Sequence, residues 1–212
     1  KPERNERHGF IHLRTQLLHP KLFEEITRLR RFYRDIMQGK AYAVWDDAKK
    51  DFEPADVLDG DTGYSFFARH YADIKLPKTA SYRRDIVIKL IESNHERAWM
   101  DRLVVMPAGL RDVEIDDSGR PVEQEITKLY RKMLAQANAI PDQLAGKNDR
   151  LLDTVRWNMQ RNLQAIWDLI TRTMLSGKRG YLQGKWGSRA TAFATTNVIS
   201  SMDTAPDDLN SP

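Results

Sequence analysis

Three carboxylates surround a glycine at Asp56-Val-Leu-Asp-Gly-Asp61. Oxygen ligands so grouped could hold Mg²⁺, a hard cation. Asp and Gly also favour tight turns, and no supporting partner is evident nearby, so a surface turn is the stronger reading. His8 and His12 are four apart, a spacing that suits a metal on a helix. Their surroundings read as a strand, where they share a face but sit far apart. His19, His70 and His95 form no cluster with them and read as structural or surface residues.

A different chemistry is offered by the run from Ser176 to Ser200. It holds four of the eleven glycines, the flat aromatic Trp186, and the cations Lys178, Arg179, Lys185 and Arg189. No acidic residue lies between Asp168 and Asp203, and with Arg172 this window carries +5. The whole chain is +4, so everything else is −1. Focused positive charge suits a phosphate-contacting surface, and glycine lets backbone approach a phosphodiester closely. The competing reading is a solvated loop. A P-loop is excluded, because a helix rather than a strand precedes Gly177-Lys-Arg-Gly and no Ser or Thr follows the lysine. A helix, a glycine hinge and a cationic strand would also make a switch, since hinges absorb backbone change.

The elements around these residues follow from apolar spacing. Gly9 to Leu13 alternates as a short strand. Pro20 suits a first helical turn, and Leu22, Ile26, Leu29, Tyr33 and Ile36 predict one apolar helix face ended by Gly39. Ala41 to Trp45 reads as a strand, 46–63 as a polar, turn-rich excursion, and 80–98 as a charged helix. Leu103 to Pro107 is a short strand, and Asp116 to Arg120 a turn. Two helices dominate the rest. One carries Ile126, Leu129, Tyr130, Met133, Leu134 and Ala137. The other carries Leu152, Val155, Met159, Leu163, Ile166, Ile170 and Met174, with Asn148 or Asp149 capping its start and Gly177 its end. The short linker 141–147 predicts an antiparallel pair. The fold class is mainly α with small β elements (α+β).

The 212 residues suit one large domain or two small ones, with 41% hydrophobic residues and 30% charged. No run of 18 apolar residues predicts a membrane span, and no signal peptide is evident at the start. Cysteine is absent, which excludes disulfides and cysteine-zinc sites and fits a reducing compartment.

Gly177-Lys-Arg-Gly, followed by Phe193-Ala and Val198-Ile-Ser, resembles the switch segment of the largest subunit (β′) of multisubunit DNA-directed RNA polymerases, GKxGRxRxNLxGKRVxxSxRxVI. Three more blocks occur in the family's order. Glu6 to Leu13 resembles ERMGHIEL. Trp99-Met, then Leu103 to Arg111, resembles EWM…VLPVxPPDLRP. Ser118-Gly-Arg120, then Ile126 to Lys132, resembles GGRF…DLNDLYRR. The resemblance runs from about residue 3 to residue 201.

This resemblance implies a clamp base over 1–115, a lid-like loop over 116–123, a coiled-coil hairpin of clamp helices over 124–175 and a glycine-rich switch segment over 176–202, while the Asp, Pro and Ser of 203–212 predict a flexible tail. It implies nucleic-acid contacts by Lys178, Arg179, Lys185, Arg189 and Arg120. It also implies docking of an initiation factor, sigma-like or phage-specific, at Pro141, Asp142, Gln143 and Lys147. The implied partners are other β- and β′-like subunits, the DNA template and the RNA–DNA hybrid, with no membrane. The implied Mg²⁺ is bound by the assembled polymerase outside this chain, where the family's catalytic Asp triad lies. The family's zinc cysteines lie upstream of ERMGHIEL, so no zinc is expected here. The family's rudder loop is missing between the second helix and the switch. Tyr181, Gln183 and Thr196 stand where the family has arginines, so template contact falls to fewer cations. Such divergence points to a split polymerase of a jumbo bacteriophage, in the cytoplasm of the infected host or carried in the virion. The rival expectations are a stand-alone helical nucleic-acid-binding protein, or a Mg²⁺-dependent nuclease built on Asp56, Asp59 and Asp61.

Overall fold

The computed structural model describes residues 7–189, 192, 193 and 195. The chain forms two compact units, Lys1–Thr171 and Arg172–Pro212. The fold is mainly helical with small antiparallel sheets.

In the first unit, β1 (Gly9–Leu18) alternates buried and exposed side chains, as a half-buried strand should. A turn at His19 leads into α1 (Pro20–Leu29), whose first position is proline and whose first turn is capped by the His19 ring. The expected single helix over 22–36 is two helices. Arg30 is extended (φ −146, ψ 102) and separates α1 from α2 (Arg31–Gln38). Its guanidinium pairs with Asp51 and donates to the Phe52 carbonyl at 2.7 Å, a long-range contact that overrides the local helical pattern. Gly39 ends α2 with φ +79, the left-handed conformation that favours glycine.

Two strands then pair, β2 (Tyr42–Asp46) and β3 (Asp51–Ala55). The second lies inside the stretch read as an excursion, because its charged residues hide a single inward residue, the fully buried Phe52. Next come α3 (Tyr64–His70), α4 (Tyr82–Ser93) and β4 (Trp99–Val105), which pairs antiparallel with β1. Register runs from Gly9 opposite Val105 to His12 opposite Arg102, then resumes at Leu17 opposite Met100. Residues 13–16 therefore bulge, with Arg14 at φ +60. A two-residue ribbon, β5 (Glu114–Ile115) and β6 (Pro121–Val122), precedes the long helices α5 (Glu125–Asn138) and α6 (Asp153–Asp168).

These two helices pack on each other and on β1. Ile126, Met133, Ala137, Met159, Leu163 and Ile166 are buried with Leu13, Leu17, Leu18 and Ile26 in one core. Asn162 donates from Nδ2 to the Leu129 carbonyl at 3.0 Å between the helices. Leu134, expected on the apolar stripe, is 46% exposed.

The core is organised by polar side chains of α6. Gln160, fully buried, accepts from Leu18 N at 2.9 Å and donates to Leu18 O at 2.9 Å. Its amide thus copies one rung of a strand ladder. Tyr64 Oη donates to the same Gln160 oxygen at 2.7 Å and accepts from Leu18 N at 3.0 Å. One turn earlier, Arg156 is 2% exposed, lies 4.4 Å over the Tyr64 ring and donates to Gln16 O at 3.1 Å and to Asn148 Oδ1. Asp153 accepts from Ser65 N at 2.7 Å and from Ser65 Oγ at 3.0 Å, tying α6 to α3. Gly63 makes room for it, since a Cβ there would lie 2.1 Å from Asp153 Oδ2.

Replacing Gln160 with Leu strands the Leu18 carbonyl and removes the acceptor of Tyr64. At about 1–3 kcal/mol per buried unmet group, we expect a loss of roughly 2–4 kcal/mol in urea unfolding. Thr154→Ala, at an exposed position on the same helix, should change stability by less than about 0.5 kcal/mol. Equal midpoints for the two variants would refute the rung. Desolvation raises the Asp153 carboxyl above its ordinary value, against the lowering effect of its Ser65 hydrogen bonds. The folded state then holds this proton more tightly than the unfolded state. Stability from protonated Asp153 is present below the ordinary carboxylate value and lost as pH rises through the raised folded value. Asp153→Asn should therefore flatten that decline, and an unchanged pH slope would contradict it.

Candidate nucleic-acid interface

In the second unit the backbone folds on itself. The chain passes into it within a π-helical stretch, Leu169–Leu175. Gly177 takes φ +84, a conformation that favours glycine. Gly180 is buried, and a Cβ there would lie 2.3 Å from the Ser176 carbonyl, so only glycine permits this approach. Gly180 N donates to Gly177 O at 3.0 Å, Gly184 N to Gly180 O at 2.7 Å, and Gly187 N to Leu182 O at 2.7 Å. A second π-helical turn, Tyr181–Trp186, results. The expectation of a cationic strand is thereby corrected. The glycines let carbonyls and amides of nearby residues meet, so this backbone coils rather than extends.

Coiling places the side chains outward. Lys178, Arg179, Lys185 and Arg189 are all exposed, and among the described residues none makes an ion pair. Trp186 is 73% exposed, and Tyr181 and Leu182 lie half-open beside these cations in sequence. The unit thus combines unneutralised positive charge with flat aromatic surface. Cations can neutralise phosphates, and aromatic rings can stack on bases. Residues 190, 191, 194 and 196–202 of the switch segment, including Thr196 and Val198, and the 203–212 tail lie outside the described residues.

Arg120 sits elsewhere, in the first unit, on the ribbon that joins β5 to β6. Asp116 shapes this ribbon. Its Oδ1 accepts from Ser118 N, Ser118 Oγ and Arg120 N at 2.9, 2.6 and 2.8 Å. These hydrogen bonds, led by the Ser118 hydroxyl, hold the carboxyl below its ordinary value. Gly119 turns the chain at φ +75 and leaves Arg120 exposed.

Pro141, Asp142, Gln143 and Lys147 are all exposed on the connection between α5 and α6. This connection is fastened to the body. Gly146 N donates to Arg14 O at 2.9 Å, and Asp142 pairs with the Arg14 guanidinium. Ile140 is buried beneath it. Among the described residues, the side chains of Gln143 and Lys147 make no hydrogen bond or ion pair.

The acidic cluster takes the form of a turn. Asp59 N and Gly60 N both donate to Asp56 O, at 3.3 and 2.9 Å. Asp61 bridges to Ala43 through its backbone, and its carboxylate pairs with Arg69 at 2.8 Å and Arg150 at 3.3 Å. Two guanidinium groups occupy the oxygens that a cation would need. Among the described residues, no group of three or more His, Asp or Glu could hold a metal ion, and no helix is long and apolar enough to cross a membrane. His70 stacks on Trp45 at 4.5 Å and His95 on Tyr71 at 5.0 Å, both as packing groups.

No protein-family model matches the chain. It is similar to the DNA-directed RNA polymerase subunit beta' of Aster yellows witches'-broom phytoplasma (strain AYWB) and to that of Onion yellows phytoplasma (strain OY-M). Each is 27% identical over 221 aligned positions, which take in 83% of this chain. The chain spans 16% of the length of these relatives. The similarity is distant and runs through most of the chain.

Proposed function

We propose that this chain is a β′-like portion of a multisubunit DNA-dependent RNA polymerase. The observation that carries this reading is the 27% identity over 83% of the chain to two polymerase beta' subunits. It is supported by the stretch 169–202, which is cationic and free of acids, and by the close glycine backbone contacts within it. In this reading the first unit supplies the clamp base and the paired helices, the β5–β6 ribbon is the lid beside the RNA–DNA hybrid, and the second unit lines the template channel.

The chain's own chemistry is then binding and orientation. Lys178, Arg179, Lys185 and Arg189 neutralise phosphates of the template strand, which fixes position without reading sequence. Nucleotidyl transfer, with the two Mg²⁺ ions that stabilise attacking and leaving oxygens, belongs to residues outside this chain. Asp56, Asp59 and Asp61 do not fit that task, because Asp61 is held by Arg69 and Arg150. The partners are other β- and β′-like subunits, template DNA and an initiation factor seated near Gln143 and Lys147.

The direct test is purification of the tagged chain from its source cells and assay for template-dependent incorporation of ribonucleotides. Co-purifying polymerase subunits with activity support the reading. A chain that purifies alone and binds DNA unaided would replace it with a stand-alone nucleic-acid-binding protein.

Within the assembly, replacing Lys178 and Arg189 together with Ala should lower the slope of log affinity against log salt. Each lost phosphate contact is worth about 0.7–0.9 units, or about 1.4–1.8 for the pair. An unchanged slope would remove these residues from the channel. Changing Gln143 and Lys147 to Glu should reduce promoter-dependent initiation several-fold while leaving elongation on a preformed scaffold intact. Equal losses in both assays would exclude factor docking there.

A further inference from the structure

A second concentration of positive charge lies far from the glycine-rich segment in sequence. Residues 74–91 hold Lys75, Lys78, Arg83, Arg84 and Lys89 against one acid, Asp85, a local charge of +4. The −1 of the chain outside 169–202 conceals it, because the remaining residues carry −5. Lys75 and Lys78 lie in the loop before α4, and Arg83, Arg84 and Lys89 lie on the helix itself, Tyr82–Ser93.

The bases are available. Lys75, Lys78, Arg83 and Lys89 are exposed, Arg84 is half-buried, and among the described residues none of the five makes an ion pair. The single acid is engaged, since Asp85 Oδ1 accepts from Thr79 N at 3.2 Å. Arg84 Nε is buried without a hydrogen-bond partner. Glu92 lies beyond Lys89 at the end of the helix and is exposed, and no ion pair joins the two. The helix is fixed beneath, with Ile88 and Ile91 buried in the body. On its outer side Tyr82 (80% exposed), Ile86 (51%) and Lys89 follow at i, i+4 and i+7.

We infer that Lys75, Lys78, Arg83 and Lys89 form a second nucleic-acid contact, one that grips the sugar-phosphate backbone of a duplex. Charge and dimensions favour this ligand over an acidic protein. A stable protein interface buries about 800 Å² per partner around an apolar centre, and here only Tyr82 and Ile86 are apolar among these bases. Tyr82 to Lys89 spans about 10 Å of helix at 1.5 Å per residue. One duplex strand places a phosphate every 3.4 Å along the axis, so the helix faces about three phosphates. Tyr82 and Ile86 then lie against sugars between them. Such a surface reads no sequence. It stands without the polymerase reading, because its residues are separate from those of the second unit.

The test is fluorescence anisotropy of a labelled duplex two helical turns long, titrated with the 212-residue chain across a salt series. Lys78→Glu, Arg83→Glu and Lys89→Glu together should weaken binding at least tenfold at low salt. Their neutral Gln counterparts should lower the salt slope by about 0.9 per lost contact, close to 2.7 in all. Circular dichroism establishes that each variant is folded, and the Gln set keeps the test valid if charge reversal disturbs the fold. A Lys178→Ala, Arg189→Ala variant is run beside them. If it abolishes binding while the α4 variants bind as the parent does, the inference fails and the polymerase reading is untouched. If the α4 variants lose affinity in the parent background and again in the Lys178/Arg189 background, the second contact is established. A folded α4 variant that keeps duplex affinity but loses polyglutamate binding would overturn the inference in favour of an acidic protein partner.

Discussion

Everything in the first unit depends on how α6 holds β1. Gln160 completes the backbone hydrogen bonding of Leu18 across 142 residues of sequence, and Arg156 reaches Gln16 O two residues earlier. A buried guanidinium is costly unless every side of it is satisfied. Burial pulls the Arg156 group below its ordinary value, and Tyr64 and Asp153 work against that by favouring its charge. The Tyr64 ring covers its face, the Asn148 amide oxygen and the Gln16 carbonyl take its two terminal nitrogens, and Nε is buried without a hydrogen-bond partner. The arrangement is demanding in geometry, and it therefore admits one register of strand against helix. The bulge at residues 13–16 follows from it, because Gln16 O must turn toward α6 while Leu13 and Leu17 stay in the core.

Charge is spent differently in different places. Where carboxylates could have made a cation site, arginines close it, as Arg69 and Arg150 do at Asp61. Where bases could have been paired, they are left open, as at Lys178, Lys185 and Arg189 and again along α4. Acids that are neutralised locally stabilise a turn. Bases left without acids remain available to a polyanion from outside.

Much of this was legible from spacing. The first long helix, the proline entry to α1, the glycine exit from α2 and the first strand all follow local rules, and the structure keeps them. The second long helix, expected to run to Met174 and close at Gly177, is α-helical only to Asp168 and turns π-helical over Leu169–Leu175. What spacing missed was imposed from afar. Arg30 breaks a regular apolar face because Asp51 and Phe52 O draw its side chain away. The strand around Phe52 escapes notice because one inward residue among charges gives no periodic signal. The glycine-rich ribbon coils because close carbonyl contacts at Gly180 decide its path, and composition does not report contacts. Arg156 and Gln160 lie among the apolar positions of α6, where a sequence reader assigns polar residues to the solvent side. The bases of 74–91 leave no mark on the net charge of the chain, because acids elsewhere offset them.

The central claim is that the glycine-coiled cationic unit lies against a template strand within an assembled polymerase. A photoreactive residue placed at Lys185 in the purified assembly, bound to a DNA–RNA scaffold, tests it most directly. Illumination should join this chain to the template strand, with less transfer to the non-template strand. Crosslinks to protein alone, with no label on either DNA strand, would contradict the account.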